Sequence, residues 1–131
     1  MPKFSETSKA RLAKCDARLQ EIFYAVVTKA DCSILEGHRN EQKQRMMLMQ
    51  GRTKLAWPNS KHNRVPSLAV DVAPYPIIWD ERERFIYFAG FVKGIAAAKG
   101  IGLRWGGDWD MDNSLKDNRF DDLVHFELIE S

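Results

Sequence analysis

Two histidines and an aspartate, His62, Asp71 and His125, are the side chains in this 131-residue chain best suited to chemistry. They stand in the segments Ser60-Lys61-His62, Ala69-Val70-Asp71-Val72-Ala73-Pro74 and Asp122-Leu123-Val124-His125-Phe126-Glu127-Leu128. Two imidazoles and one carboxylate suit Zn²⁺ and leave its fourth position open to water. Asp122, three residues before His125, is a candidate proton-transfer group. The combination describes a metallohydrolase. Spacing alone also allows each histidine a structural role. His38, beside Arg39, is expected to be exposed or hydrogen-bonded rather than a ligand.

Side chains alternate faces along a strand, so Asp71 and His125 converge if their strands are neighbours, and His62 reaches the same point from a loop. Glu127 shares the face of His125 and is a candidate to orient an imidazole. Asp122 would fall on the wrong face of an ideal strand, so it is expected in the turn before it, with Asp121 as the rival base. The run Asp108-x-Asp110-x-Asp112-Asn113 imitates the start of a calcium loop. Asn113 stands where glycine is required and Arg119 where glutamate is, so a turn-rich loop is expected instead.

The elements that must position these groups follow from periodicity. Leu12, Cys15, Leu19, Ile22, Phe23 and Val26 form one stripe of a long first helix, from near Ser5 or Thr7 to near Lys29. Cys32–Glu36 is a short strand stopped by Gly37. Asn40 caps a second helix through Gln50, closed by Gly51. Residues 52–67 form a long irregular loop, of the kind that tends to be functional. Leu68–Val72 is a strand ended by Pro74 and Pro76. Asp80 and Glu83 suggest a capping box for a third helix ending at Gly100. Ile101–Trp105 and Leu123–Ile129 are strands, separated by a polar loop from Gly106 to about Phe120. Three helices and about four strands predict an α+β domain with a small, mostly antiparallel sheet and the metal site on its face. A single domain over residues 1–131 is expected, with no linker or second domain. Trp57 and Trp109 are candidates to wall a cleft.

Net charge is +2, which implies little general attraction to polyanions. The segment from Arg39 to Arg64, however, holds seven basic residues against the single acid Glu41 and can contact an anionic substrate. No apolar stretch marks a secretory signal or a membrane span, so the chain is expected to start in the cytoplasm. Cys15 and Cys32 lack CxxC spacing and are expected to be small buried hydrophobes.

Together these segments resemble the D-alanyl-D-alanine peptidase-like zinc metallopeptidases. Ser-Lys-His…Ala-Val-Asp matches that family's Ser-x-His…Ala-x-Asp motif. Glu36-Gly37-His38-Arg39-Asn40-Glu41-Gln42 resembles its Gly-x-Arg…Gln segment, and Arg104-Trp105-Gly106-Gly107-Asp108-Trp109 its Gly-x-Asp-Trp segment. Asp122-x-x-His125-x-Glu127-Leu128 completes the match, which covers roughly residues 34 to 128. The compact length and the aspartate before the last histidine point to the L-alanyl-D-glutamate endopeptidase branch, best known as phage endolysins. The interval from His62 to Asp71 is longer than is common in the family, which bears on substrate choice.

The resemblance implies Zn²⁺ on His62, Asp71 and His125, with Asp122 as general acid and base. It implies that Arg39 stabilises an oxyanion or grips a substrate carboxylate, with Gln42 and Ser60 as substrate contacts. The implied substrate is the peptidoglycan stem peptide, cut between L-alanine and D-glutamate. A monomer is expected, held in the host cytoplasm until a phage membrane pore (holin) releases it to the wall, with no direct contact to the pore. The same motifs also serve D-alanyl-D-alanine carboxypeptidases or dipeptidases and, without the acid, non-catalytic zinc modules. A nuclease built around Lys61-His62-Asn63 lacks a second histidine nearby, so no nucleic-acid partner is expected.

Overall fold

A computed structural model describes residues 2–108, 111 and 122–129. Its elements run α1 (Glu6–Leu12), α2 (Ala17–Val27), β1 (Cys32–Glu36), α3 (Glu41–Met49), a 3₁₀ turn (Lys61–Asn63), β2 (Ala69–Pro74), α4 (Arg82–Ala98), β3 (Leu103–Gly106) and β4 (Asp122–Leu128). The four strands form one antiparallel sheet in the order β1-β2-β4-β3, so the architecture is α+β as the sequence predicts.

Alternation divides the sheet into two unlike faces. Val70, Val72, Phe126 and Leu128 are fully buried members of the apolar core, and the Phe126 ring packs edge-on to Phe23 of α2 and Phe88 of α4. Asp71, His125 and Glu127 fall on the opposite face. Burying four such side chains contributes on the order of 1.5–3 kcal/mol each, which fixes which face is which.

The first helix departs from expectation, because the stripe from Leu12 to Val26 is divided between α1 and α2. The break holds Cys15, which bridges to Ser67, and Asp16, whose backbone N–H donates to Ser67 O at 2.8 Å. Asp16 also caps α2 by accepting from Arg18 N. An aspartate that satisfies a free helix N–H competes well with continuing the helix. The described residues therefore hold four α-helices rather than three.

α1 covers the edge of β1. Ile34 N donates to Ser8 Oγ, and Arg11 Nη1 donates to Ile34 O. A helix in this position blocks pairing with a further strand. Both cysteines are free and buried, and burial pushes each thiol up to about 12.

Several boundaries also shift. β2 runs through Pro74 instead of ending before it, and α4 starts after Glu81 with no side-chain cap bond, so the expected capping box does not form. Asn40 does cap α3, and Gly51 and Gly100 take the positive φ values, 72° and 71°, that end helices. Among the described residues, no helix is long and apolar enough to cross a membrane. Asp121, Trp109 and the calcium-like run beyond Asp108 lie outside the described residues.

Candidate metal centre

Asp71 on β2 and His125 on β4 are direct cross-strand partners, so register alone puts them side by side. His62 arrives from the 3₁₀ turn, whose backbone is fastened where Arg39 N donates to His62 O and Leu68 N donates to Lys61 O. His62 Nε2, Asp71 Oδ1 and His125 Nδ1 stand 3.2, 3.2 and 3.3 Å apart. A tetrahedral ion with bonds of ~2.0–2.1 Å holds its ligand atoms about 3.3–3.4 Å apart, so the triangle has the right size.

The surroundings also select the ligand atoms. His62 Nδ1 lies 2.7 Å from Gly37 O, and His125 Nε2 lies 2.9 Å from Glu127 Oε1. Both partners only accept, so these ring nitrogens donate and the other nitrogen of each ring turns its lone pair inward. Two lone pairs and a carboxylate oxygen then face one another, an arrangement that needs a cation. The donor set therefore fits a metal ion, and these three residues are the metal-capable group found among the described residues.

The charges follow the same logic. Burial alone would raise Asp71, yet hydrogen bonds from His125 and His62 hold it well below the usual carboxylate range. Burial would lower His125, but Asp71 and Glu127 raise it to about 9 when a proton stands in for the metal. Glu127 is held below its ordinary value against burial, chiefly by His125 and then by Lys61. Lys61 Nζ pairs with Glu127 Oε2 at 3.1 Å and donates to Leu128 O at 2.5 Å, so it latches the 3₁₀ turn to β4.

Asp122 lines the same cleft, which encloses about 290 Å³. It lies within β4 and not in a turn before it, because the pairing skips from Trp105↔Phe126 to Gly106↔Asp122. The residues between form a bulge, and Trp105 Nε1 holds it by donating to Leu123 O at 2.9 Å. A Cβ on Gly106 would lie 2.1 Å from Asp122 O, so only glycine admits the approach. Burial first, and then the Asp71 charge, raise the pKa of Asp122. A carboxyl in that state is suited to exchanging protons.

Arg39 also lines the cleft and is 6% exposed. Its Nε and Nη2 donate to Glu36 Oε1, and its Nη1 donates to Gln44 Oε1. Of the five guanidinium N–H groups, one on each terminal nitrogen is left for the cleft.

Of the two expected substrate contacts, Ser60 lines the cleft and Gln42 does not. Gln42 is exposed on α3. Gln44 is the fully buried glutamine instead: its Oε1 accepts from Arg39 and Asn63, and its Nε2 donates to Leu55 O at 2.6 Å. Ser60 is 4% exposed, and its Oγ caps the 3₁₀ turn by accepting from His62 N. It holds a ligand-bearing turn in shape.

His38 is half-buried and outside the triad, and Trp57 is exposed and does not wall the cleft. The extra length between His62 and Asp71 bulges outward at Val65, while Ser67 is tied back to Lys14 and Asp16. A larger groove of about 560 Å³, with Tyr75, Tyr87 and Phe91 on its walls, holds none of the candidate ligands. All three candidate ligands line the smaller cleft.

Comparison with known proteins identifies the family of the chain and its fold. The family model described as phage L-alanyl-D-glutamate peptidase matches residues 1–129. The L-alanyl-D-glutamate peptidase of Escherichia phage T5 is 28% identical over 136 residues, spanning 97% of this chain and 98% of the relative. The crystal structure of Serratia marcescens L-Ala D-Glu endopeptidase ChiX superposes with a TM-score of 0.77 at 24% identity, covering 98% of this chain and 91% of that one.

Proposed function

Since the chain belongs to the phage L-alanyl-D-glutamate peptidase family, we propose that it is a zinc endopeptidase that cuts the L-alanyl-D-glutamate bond of peptidoglycan stem peptides. The observation that carries the reading is the triangle of inward-facing donor atoms on His62, Asp71 and His125, with Asp122 in the same cleft. When bound, the ion supplies Lewis acidity, polarising a carbonyl and lowering the pKa of water toward about 7.

The chain's own groups do the rest. A carboxylate oxygen of Asp122 takes the proton of the attacking water and returns it to the departing amine of D-glutamate. Such transfers are worth typically ~10²–10⁴ in rate. Glu127 keeps the Nδ1 lone pair of His125 directed at the centre, and the Gly37 carbonyl does the same for His62 Nε2. The remaining N–H groups of Arg39 are fixed by Glu36 and Gln44, so they meet the substrate's oxygen atoms without reordering. The protein acts as a monomer on the wall, reached through a membrane pore made by another phage protein.

Purified protein given isolated cell walls should release new amino groups without new reducing ends, and the new N-terminus should be D-glutamate. Chelation should abolish this and Zn²⁺ restore it. New D-alanine termini, or full activity after chelation, would overturn the assignment.

A further inference from the structure

The cleft contains four basic residues, Arg39, Arg52, Lys54 and Lys61, and their charges are not equally committed. Arg39 is paired with Glu36 and Lys61 with Glu127. Of the cleft carboxylates, Asp71 serves the two histidines, Glu127 serves His125 and Lys61, and Asp122 is the proposed base. Among the described residues, neither Arg52 nor Lys54 is in an ion pair. Among the described residues, one wall of the cleft therefore presents two positive charges without counter-charge.

That wall is held in place. Gly51 turns the chain at the end of α3, Arg52 N donates to Met47 O at 2.9 Å, and Leu55 N donates to Thr53 Oγ1. Leu55 O receives the side-chain N–H of Gln44, the same buried amide that accepts from Arg39. The two cations are thus carried on a segment whose backbone is tied to the interior of the site.

Resting on the endopeptidase reading above, we propose that Arg52 and Lys54 select stem peptides whose third residue bears a free side-chain carboxylate. In the substrate the D-glutamate is linked onward through its γ-carboxyl, so its α-carboxylate is one anion available to the cleft. A second unpaired cation calls for a second anion, and the following residue is where stem peptides differ. A diamino dicarboxylic acid there offers a carboxylate. A lysine offers the same ammonium group without the carboxylate that offsets it, so its net positive charge is repelled by the wall. Repulsion of the wrong partner adds to attraction for the right one, so the discrimination comes from both.

The test compares three soluble peptides, N-acyl-L-alanyl-γ-D-glutamyl-X with the α-carboxyl of X amidated, where X is meso-diaminopimelate, its side-chain amide, or L-lysine, cleaved by the zinc-loaded protein. The free acid should exceed its amide by at least ~10-fold in kcat/KM, mostly through KM, and the ratio should shrink as salt screens the wall. In the R52Q/K54Q double variant the ratio should fall toward ~1, whereas R52K/K54R should keep it. Equal cleavage of acid and amide by the parent protein, or an unchanged ratio in R52Q/K54Q, overturns the proposal alone. Failure to cut any of the three between L-alanine and D-glutamate overturns the endopeptidase reading with it.

Discussion

The two walls of the cleft are built by different physics. The sheet wall, with Asp71 and His125, rests on Val70, Val72, Phe126 and Leu128, each fully removed from solvent on the other face. The opposite wall is α3 and the segment after it. There the only buried residue of the helix is Gln44, while Met46, Leu48 and Met49 are exposed. Two of the candidate ligands, Asp71 and His125, are thus positioned by apolar burial and strand register, and the opposite wall by one buried amide. The two arrangements meet at Gln44, which also accepts from Asn63 in the turn that carries His62.

That contrast can be broken most directly at the metal. His62→Ala should abolish both zinc content, measured by elemental analysis, and wall lysis, while the far-UV spectrum stays that of the parent. A variant that still bound zinc and lysed walls at the parent rate would remove His62 from the ligand set. Asp122→Asn should keep its zinc and lose at least ~100-fold in kcat. If Asp121→Asn shows that loss instead, the base has been misassigned.

A sharper probe is Gln44→Leu, which leaves Arg39, Asn63 and Leu55 without their shared partner. It should raise KM about tenfold and cost on the order of 1–3 kcal/mol of stability, with zinc content unchanged. Loss of zinc in that variant would show that the two walls are not independent.

The smallest effect concerns pH. His125 has its pKa raised to about 9 in the metal-free protein, by Asp71 and Glu127 acting against burial. A raised histidine stabilises the fold below its unfolded value of ~6.5 and loses that contribution as pH climbs through the folded one. Calorimetry of chelated protein should therefore show a melting temperature falling by several degrees between about pH 6.5 and 9. Zinc-loaded protein, in which the ion takes the proton's place, should lack that fall.

The metal-capable triad and the strands that bear Asp71 and His125 were legible because both depend on residue type and short periodicities. What escaped the sequence depended on partners far away in the chain. The break at Asp16 is made by Ser67, which no local pattern around Cys15 reveals. The bulge in β4 moves Asp122 into the cleft, whereas strict alternation would have turned it away. Gln44 was passed over for Gln42 because hydrophobic periodicity cannot mark a buried position occupied by an amide. Counting one turn on from the Asn40 cap is the signal that finds it, since the backbone N–H of Gln44 closes the first turn on Asn40 O.

The Lys61 latch bears on how readily the triad would receive a metal ion. Because its ammonium group ties the His62 turn to the end of β4, the first and last ligands are already gathered when the chain has folded. Part of the entropy of assembling them would then be settled in advance, so a metal ion held there would demand less ordering of the chain.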